Sequence, residues 1–583
     1  MITVEYGGNT LYGPSEETSD DSIHVLEQNP YQIANDITGV GFKTADKLAQ
    51  SMGLAANDER RLEAGIAHAL NRATLDGNIY LPEEVLIETA SELLSAPSDL
   101  IQAAIARAHL SGFIEVEKIP GPNLNDLPVT GYYLPQLREA ERGLAALIHA
   151  MIDQQGSRLN KLRDRSLSTL VAEAAAEANV ELTAQQQMAV EVALENKVSV
   201  LTGGPGTGKT TTIRALIVVL RRYGFQFALA SPTGRAAKRL SETTGERAST
   251  IHRLLGYSPH EGWAFDEDDP LEYDFIVVDE SSMLDTHLAF ALMRAIHPQT
   301  HVLFVGDVDQ LPSVGPGDVL RDLIRSGVVP VSRLSTIFRQ SLGSNIIANA
   351  HRINQGEMPA FEADYEDVFL FKINDDPERA ADLLVDVVTQ RMPEKFNLDP
   401  YEDIQVLVPM YRGPAGVDNL NQRLQDRLNP GQGKRVAEYK AGGRLYRVGD
   451  KVIQTSNNYD LDIFNGDIGI IRKINFTEGE MEIWFDGRPV DYRLDDVASD
   501  LRLAYAISVH RSQGSEYPAV VLPIVTQHYM LLQRNLLYTA ITRAKQIAIM
   551  IGSQRAISIA VGNNRVAERY TSLKERLQRQ MGA

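Results

Sequence analysis

The sequence predicts an α/β protein built on a parallel sheet, and three observations lead to that prediction. A short apolar run, 197–202, has the length of a buried strand. It is followed by the glycine-rich run 203–210 and then by an amphipathic segment, 211–224, with the periodicity of a helix. Two further apolar runs, 271–280 and 301–307, have the length of strands. Strands that alternate with helices in this way pair in parallel, with helices packed on the sheet.

The run GGPGTGKT at 203–210 fits the pattern G-x-x-x-x-G-K-[ST] and predicts a nucleoside triphosphate site. Its glycines let backbone N–H groups turn towards phosphate oxygens, and the next helix adds the positive end of its dipole. Lys209 is suited to reach the β- and γ-phosphates, and Thr210 to place its hydroxyl on Mg²⁺. The other predicted nucleotide contacts are Gly203, Gly204, Gly206, Thr207, Gly208 and Thr211. The alternative, a chance glycine-rich turn, does not explain the strand and helix that flank the run.

The later strands supply candidates for the chemistry. Asp279 and Glu280 end a strand at the edge of the sheet where open α/β sheets place their sites. Asp279 is suited to hold Mg²⁺ and Glu280 to polarise the attacking water, unless the pair is only a solvated strand end. Gln310 follows the next strand and is suited to sense a γ-phosphate. Arg339 and Arg543 are candidates for stabilising the transferring phosphoryl group, although a surface ion pair is the commoner role of one arginine.

Composition limits the classes of protein that this chain can be. Its 583 residues suffice for several units of roughly 100–200 residues each. The chain has no cysteine, so disulfides and cysteine-ligated metals are excluded, and with scattered histidines no zinc site is expected. Residues 1–20 are polar, lack the pattern of a signal peptide and are expected to form a flexible leader. With no apolar run long enough for a membrane span, a cytoplasmic protein is expected.

The charge balance argues against one mode of nucleic-acid binding. There are 57 Lys and Arg against 77 Asp and Glu, which gives a formal net charge of −20. Such a protein is not expected to coat nucleic acid by bulk charge. A local basic channel remains compatible with it, because affinity depends on the cations near the phosphates. The prediction of nucleic-acid binding therefore has to come from motifs.

Seven motifs in a fixed order resemble those of superfamily 1 helicases. They are GGPGTGKT, SPTGRAAKRL (231–240), VVDESSM (277–283), GDVDQLPSVGPG (306–317), IFRQ (337–340), SVHRSQGSEY (508–517) and YTAITRAK (538–545). The DESS and HRSQGSE versions, with NNYDLDIFNGDIG at 457–469, are most similar to the RecD branch. The resemblance extends from Leu182 to the C-terminus. It implies two RecA-like domains with ATP in the cleft between them.

The resemblance also implies a role for each wall of that cleft. Gln186 would read the adenine, because the pattern L-x-x-x-Q-x-x-A-V falls on it. One wall would be lined by Gln186, Lys209, Thr210, Asp279, Glu280 and Gln310. Arg339 and Arg543 would approach from the other wall. Closing on ATP and opening after hydrolysis would then move the protein along a strand.

Segments that face away from the nucleotide are expected to contact DNA. They offer hydroxyls, backbone N–H groups and cations to phosphates, so they would hold a single strand without reading its sequence. The candidates are Thr233, Gly234, Lys238, Arg239, Thr250, His252, His510, Arg511, Ser512 and Gln513. For any one of them, a helix cap or a surface charge is an equally good interpretation. As a set they predict binding that weakens strongly with salt.

Two insertions interrupt the predicted motor. Segment 256–274 has two short stretches divided by polar turn residues and predicts a β-hairpin, which in the resembled family acts as a wedge at the duplex junction. Its aromatic residues Tyr257, Trp263 and Phe265 are candidates for the wedge, or they pack the base of the hairpin. Segment 444–494 has short alternating strands with Asn-Gly and Asp-Gly turns. It predicts a small β-barrel, SH3-like by resemblance, that clamps the strand.

Residues 21–150 are expected to form a separate and mainly helical region. ITGVGFKTADKLAQSMGL at 37–54 resembles a helix-hairpin-helix element with its turn at 38–41, although a core helix pair is the alternative. The helix–helix–strand order that follows resembles a winged helix. The two motor domains would then comprise 151–342 and 343–583.

Together these features predict an ATP- and Mg²⁺-dependent DNA helicase that translocates 5′→3′ on single-stranded DNA. It would act as a monomer at single-strand/duplex junctions, in DNA repair or recombination in a bacterium. The direction and the preference for DNA rest on the resemblance alone. The alternatives are an RNA helicase, a DNA translocase that does not unwind, and a DNA-binding adaptor in which the ATPase is a switch. The complete set of hydrolytic motifs favours turnover over the adaptor.

Overall fold

The computed structural model describes residues 30–32, 41–120, 127–258, 260–336, 344–431, 437–458, 461–564 and 569–579. The predicted leader 1–20, most of the predicted turn at 38–41, and Arg339 lie outside the described residues. By its internal contacts the chain forms two units. The first comprises the chain up to Arg142 with the short segments 315–317 and 569–575, and the second comprises the rest.

The first unit is mainly helical, as predicted, and contains one small sheet. Its elements are α1 Phe42–Ser51, α2 Glu59–Leu75, β1 Tyr80–Pro82, α3 Glu83–Leu94, α4 Ser98–Leu110, β2 Glu115–Ile119 and β3 Val129–Tyr133. The helices bury their apolar faces around Leu62, Ile66 and Leu86. The strands form an antiparallel sheet in the order β1-β3-β2. In the chain, β1 lies between α2 and α3, and the winged-helix arrangement stays a prediction.

The first motor domain is built on a six-stranded parallel sheet. After the connecting helix α5 Pro135–Asp153, its helices are α6 Leu167–Glu177, α7 Ala184–Glu195, α8 Lys209–Arg222, α9 Gly234–Thr244, α10 Ile251–Leu254, α11 Thr286–Arg294 and α12 Val319–Ser326. Its strands are β4 Val198–Gly203, β5 Phe227–Ser231, β6 Ala248–Thr250, β7 Phe275–Val278, β8 His301–Gly306 and β9 Val331–Leu334. The strand order is β6-β5-β7-β8-β4-β9. All of β7 and β8 is buried, as expected for a parallel sheet covered on both faces.

The second motor domain begins with elements that precede the barrel. They are α13 Asn345–Gln355, β10 Val368–Lys372, α14 Pro377–Asp386, α15 Met392–Phe396, β11 Ile404–Val408 and α16 Val417–Leu428. Among the described residues, no helix is both long enough and apolar enough to cross a membrane.

The predicted barrel interrupts this domain and has a core of its own. Its elements are β12 Glu438–Ala441, β13 Arg444–Arg447, β14 Lys451–Gln454, β15 Ile468–Asn475, β16 Glu480–Phe485, β17 Arg488–Arg493, α17 Leu494–Asp500 and β18 Leu501–Leu503. Five strands pair antiparallel in the order β17-β16-β15-β14-β18, and β12 pairs with β13. Tyr446, Ile483 and Tyr492 lie in the core. The barrel extends beyond the predicted 444–494 because β12 and β18 lie outside those bounds.

After the barrel the chain returns to the second motor sheet. The remaining elements are β19 Ala506–Ser508, β20 Tyr517–Ile524, α18 Arg534–Ile541, β21 Ala544–Gly552, α19 Gln554–Gly562 and α20 Leu573–Arg579. The sheet is parallel, with the order β10-β21-β20-β11-β19. The barrel is therefore an insertion between two neighbouring strands, β11 and β19.

Within the described residues 256–258 and 260–274, the predicted hairpin is present only in its smallest form. One antiparallel bridge joins Ser258 and Gly262, and each of these residues donates its N–H to the carbonyl of the other at 2.8 Å. Further along, the Asp266 carboxylate accepts the backbone N–H groups of Asp268 (3.0 Å) and Asp269 (3.4 Å). A side chain that satisfies the backbone locally in this way favours a turn over continued strand pairing.

A buried carboxylate at the start of β14 anchors the barrel to the motor. Asp450 accepts hydrogen bonds from Gln425 Nε2 (2.6 Å) and Asn429 Nδ2 (2.8 Å), which lie on and just after α16. It also accepts from Tyr505 OH (2.9 Å), which precedes β19, and from the N–H of Arg447 (2.7 Å). Three donors from the motor segments that flank the insertion and one donor from the barrel therefore meet at one side chain.

We expect Asp450→Ala to destabilise the barrel by about 2–4 kcal/mol, because it leaves several buried donors without an acceptor. The chain has two tryptophans, Trp263 and Trp484, so Trp484 fluorescence in a Trp263→Phe background reports the barrel alone. Urea should unfold the barrel at a lower concentration in the Asp450→Ala variant than in the Trp263→Phe background alone. The control is Asp491→Ala, an exposed position on β17. Equal urea midpoints for the two variants would contradict the anchoring role.

Candidate functional site

The glycine-rich loop between β4 and α8 has the geometry of a phosphate loop. Gly206 and Gly208 have φ values of 71° and 85°, in the left-handed region that glycine adopts without strain. A Cβ at Gly203 would lie 2.7 Å from Thr207 Oγ1, so this position has no room for a side chain. Because α8 begins at Lys209, the free N–H groups of its first turn lie next to the loop.

Lys209 lies along the loop that it is predicted to serve. Its Nζ donates to the carbonyls of Gly203 (2.5 Å) and Gly204 (3.3 Å). Thr210 and Thr211 follow in the first turn of α8 and are half-buried. The ammonium group is therefore held at the loop, where it can move onto a phosphate oxygen by a rotation of its own side chain.

A cleft of about 240 Å³ opens in front of this loop, within the second unit. Its lining comes from the phosphate loop, from the ends of β7 and β8, and from the second motor domain. The predicted residues in it are Gly204, Gly206, Gly208, Lys209, Thr210, Asp279, Glu280, Gln310 and Arg543. The fold therefore assembles most of the predicted nucleotide site in one place.

The two carboxylates after β7 suit a divalent cation. Asp279 is half-buried, and its desolvation, followed by the negative charge of Glu280, raises the pKa of Asp279 to about 6. Asp279 also accepts the backbone N–H of Glu280 at 2.8 Å. Glu280 has a φ of 52°, an unusual backbone conformation for a glutamate. Two neighbouring carboxylates form a donor set for Mg²⁺, and the Thr210 hydroxyl shares the cleft.

A hydrogen bond joins the two motor domains at the cleft. Arg543 Nη2 donates to Gln310 Oε1 at 2.9 Å, and both side chains are buried. Gln310 Nε2 in turn donates to Asp307 Oδ2 at 3.2 Å. The predicted phosphate sensor of one domain is thus in direct contact with the predicted arginine finger of the other.

Two residues of this network were missed from the sequence. Tyr538 OH donates to Asp307 Oδ2 at 2.8 Å, and burial raises the pKa of both groups. Asp307 directly follows β8 just as Asp279 follows β7, so the strand-end rule contains the signal for it. Tyr538 belongs to the second domain, and no local pattern pairs it with a residue of the first.

Gln186 lies beside the cleft, but its side-chain amide makes hydrogen bonds to the backbone of the protein itself. It is fully buried at the start of α7, where its Oε1 accepts the N–H of Thr183 at 2.9 Å in a capping box. Its Nε2 donates to the carbonyl of Thr207 at 3.1 Å. This geometry braces the phosphate loop against α7. Recognition of adenine by Gln186 stays a prediction.

The structure corrects the DNA role predicted for Arg239. Its guanidinium lines the nucleotide cleft, 2.5 Å from Glu516 Oε1 and 3.9 Å from Glu280 Oε1. Lys238, one residue earlier on α9, instead contacts the barrel. Successive residues of a helix point about 100° apart, so adjacent cations serve different surfaces.

Two further predicted DNA contacts are interior residues. Ser512 is fully buried and donates its hydroxyl to the carbonyl of Val509 at 2.7 Å. Gln513 is also buried, and its Nε2 donates to the carbonyl of Leu311 at 2.9 Å. The 3₁₀ turn that begins at His510 directs both side chains inward. Gln513 connects the motor domains, Ser512 satisfies its own turn, and neither side chain is placed to hold a strand.

Several other candidates have structural roles in addition to any DNA contact. Thr233 caps α9 and Thr250 caps α10 through their side-chain oxygens. His252 packs against the rings of Tyr257 and Trp263, with centroids 5.5 and 5.4 Å away. Tyr257 and Trp263 therefore pack against His252, and a wedge role for the hairpin stays a prediction.

The predicted strand-binding segments of the two motor domains meet. A Cβ at Gly514 would lie 3.0 Å from Thr233 Oγ1. His510 is exposed and Arg511 half-buried, with the Arg511 guanidinium 6.0 Å from the ring of Tyr411. Gly514 and Thr233 thus bring a predicted strand-binding segment of each motor domain into close contact.

Comparison with known proteins decides the family. The matching family models are an AAA domain at 186–316, the ATP-dependent RecD-like DNA helicase SH3 domain at 420–485, the ATP-dependent RecD2 DNA helicase HHH domain at 15–80 and the UvrD-like helicase C-terminal domain at 503–551. The ATP-dependent RecD2 DNA helicase of Deinococcus radiodurans is 36% identical over 580 residues, which cover 96% of this chain and 74% of that protein. The chain belongs to the RecD-like DNA helicases of the RecD2 type.

Other relatives agree with this family. The RecBCD enzyme subunit RecD of Mycolicibacterium smegmatis is 34% identical over 431 residues, which cover 67% of this chain and 74% of that one. A crystal structure of Pif1 helicase from Bacteroides in complex with ADP-AlF3 and ssDNA is 19% identical, covers 69% of this chain and 98% of its own, and has a TM-score of 0.41, too low to add to the assignment. This RecD-like chain is an ATP-dependent DNA helicase. The predicted fold class, with two RecA-like domains, a helical N-terminal region and an SH3-like barrel, is confirmed.

We expect Lys209→Ala to lower the turnover number for ATP by roughly 100-fold or more, because it removes the cation that faces the developing phosphoryl charge. Binding of fluorescent single-stranded DNA should remain, since Lys209 lies in the nucleotide cleft. The matched control is Lys161→Ala, an exposed lysine of the same motor domain. Near-normal turnover in the Lys209 variant would contradict the assignment of the phosphate site to this loop.

Proposed function

We propose that this RecD-like helicase translocates 5′→3′ on single-stranded DNA and unwinds duplex at a single-strand/duplex junction. It acts as a monomer in DNA repair or recombination in the bacterial cytoplasm. The observation that most supports a coupling of ATP hydrolysis to movement is the Gln310–Arg543 hydrogen bond. It joins the two walls of the nucleotide cleft. The direction and the pathway come from the family and not from this geometry.

In this proposal the cleft residues have separate roles in ATP hydrolysis. Lys209 and the loop N–H groups hold the β- and γ-phosphates. Thr210 and Asp279 hold Mg²⁺, which neutralises phosphate charge when it is bound. Glu280 orients the attacking water and accepts its proton. Gln310 and Arg543 contact the γ-phosphate, and Arg339 is proposed as a second arginine for the same charge.

The same contacts would couple hydrolysis to movement. A γ-phosphate between the walls takes over the hydrogen bonds that Gln310 and Arg543 now make to each other. Its release removes that bridge, so the two domains have a different preferred spacing with and without the γ-phosphate. Because Thr233 and Gly514 meet near the same interface, a change in spacing changes the distance between the two segments proposed to hold the strand.

We expect strand displacement only on a duplex with a 5′ single-stranded tail, and not on a matched duplex with a 3′ tail. The measurement uses ATP and Mg²⁺ with fluorescently labelled duplexes of the same sequence. Unwinding from the 3′ tail would reverse the proposed direction. DNA-stimulated hydrolysis without any unwinding would favour the translocase. Equal activity on a 5′ RNA tail would remove the preference for DNA.

We expect deletion of Tyr257–Asp269 to reduce unwinding while DNA-stimulated ATP hydrolysis persists, because a wedge acts on the junction and not on the cleft. Tyr257→Leu/Trp263→Leu is the companion variant, since it keeps the segment and its apolar packing but removes the rings. Full unwinding by the deletion variant would rule out the wedge. Loss of hydrolysis together with unwinding would assign the segment a structural role in the motor.

A further inference from the structure

A groove of about 390 Å³ lies between the first motor domain and the barrel, within the second unit. Helices α9 and α10 contribute Lys238 and Arg253 to its lining, and the segment before β6 contributes Arg247. The barrel contributes Arg488 and the half-buried ring of Phe464. Cations beside an aromatic ring are the groups that hold single-stranded nucleic acid without reading its sequence.

Two aspartates of the barrel form ion pairs with two of these cations. Asp486 Oδ2 lies 2.6 Å from Lys238 Nζ, and Asp462 Oδ1 lies 2.9 Å from Arg253 Nη1. Both aspartates sit in turns with left-handed backbone, at φ values of 48° and 54°. Aspartate and asparagine tolerate this conformation better than other non-glycine residues. The barrel thus presents each carboxylate on a turn that suits it.

The barrel also covers the start of α9. A Cβ at Gly234 would lie 2.6 Å from the ring of Phe464, so these groups are in close contact. Gly234 and Lys238 are both proposed DNA contacts of the helicase. The barrel and its aspartates therefore stand where a strand held by α9 would have to pass.

We propose that this groove binds the sugar–phosphate backbone of single-stranded DNA, and that Asp462 and Asp486 hold its cations as displaceable substitutes for phosphates until a strand enters. The proposal rests on the proposed function, and it adds Arg253 and the barrel face to the strand-binding surface. Entry of the strand breaks the two carboxylate contacts and turns the barrel from a cover into one wall of the occupied groove.

Exposure makes these contacts suitable for displacement. The side chains of Lys238 and Asp486 are 52% and 55% exposed, and those of Arg253 and Asp462 are each 50% exposed. Ion pairs so open to water and salt contribute little free energy, whereas a strand offers several phosphates and releases its counterions on binding. A chain with a net charge of −20 also gains from keeping its few strand-facing cations shielded until DNA is present.

A neighbouring arginine shows the contrast. Arg235, also on α9, donates from Nη1 to Ser515 Oγ and to Tyr517 OH, each at 3.0 Å. Its guanidinium lies 5.6 Å from the ring of Tyr517. Arg235 is held by neutral partners of the second motor domain that offer no charge for a phosphate to replace. The displaceable contacts are those made by carboxylates of the barrel.

The first test removes the two carboxylate charges and keeps the turns. Asp462→Asn/Asp486→Asn should bind fluorescent oligo(dT) about three- to tenfold more tightly than the unaltered protein, since exposed pairs contribute modestly. The control Asp491→Asn/Asp496→Asn removes two charges from exposed barrel positions without a described ion pair. An equal gain in affinity in the control would show that the change in net charge alone tightens binding, and it would overturn the proposal. In the first variant, Arg253→Ala should reverse the gain.

The second test holds the barrel shut. Because the chain has no cysteine, Lys238→Cys/Asp486→Cys can be joined selectively with a short bis-maleimide. The cross-linked protein should lose oligo(dT) binding relative to the same variant without the cross-link. If the cross-linked protein binds linear oligo(dT) as well as the uncross-linked variant, the strand does not displace the barrel and the proposal fails.

The unaltered protein separates this proposal from the proposed function. If it does not bind oligo(dT) at any salt concentration, both fail together. If it binds oligo(dT) and the Asp462/Asp486 variant shows no gain over its control, only the groove is overturned. A gain specific to that variant, with loss of binding on cross-linking, supports the groove and its displaceable aspartates.

Discussion

The hydrogen bond between Arg543 and Gln310 is the contact on which the rest of the motor depends. It joins the two motor domains beside the phosphate loop, where Leu311 of the first domain also packs into the core of the second. Asp307 and Tyr538 extend it into a buried network in which each polar group has a partner from the other domain or from its own strand end. Such a network is sensitive to charge, because desolvated groups respond strongly to a nearby phosphate. In the proposed function, a γ-phosphate bound in the cleft would reach this contact directly.

The barrel shows how an insertion can be firmly anchored at its root and loosely held at its outer turns. At the root, Asp450 is buried and accepts three hydrogen bonds from the flanking motor segments and one from the barrel. At the outer turns, Asp462 and Asp486 make half-exposed ion pairs with the first motor domain. Buried polar contacts are costly to break, while exposed ion pairs exchange readily with solvent and salt. The difference in burial permits the barrel to stay attached to one motor domain while its contact with the other is replaced.

Charge is distributed in a way that the net value conceals. The chain is strongly acidic, yet cations from α9, α10 and the barrel line one groove. In the nucleotide cleft the opposite holds, since Asp279 and Glu280 concentrate negative charge where a divalent cation is needed. Arg239 directly follows Lys238, which lines the basic groove. Its own side chain lies in the acidic cleft, where it pairs with Glu516. Local electrostatics, and not net charge, therefore accounts for both proposed ligands.

The sequence by itself determined the phosphate loop, the parallel strands, the helical N-terminal region and the barrel. Each depends on local patterns, such as glycines that permit positive φ or apolar runs that end in carboxylates. Only the tertiary structure decided which surface each side chain serves. It placed Arg239 in the nucleotide cleft, buried Gln513 between the motor domains, and paired Asp307 with Tyr538, which lies 231 positions away. Packing between domains sets these outcomes, because contacts between residues so far apart depend on how whole sheets meet, and no run of neighbouring residues carries that information.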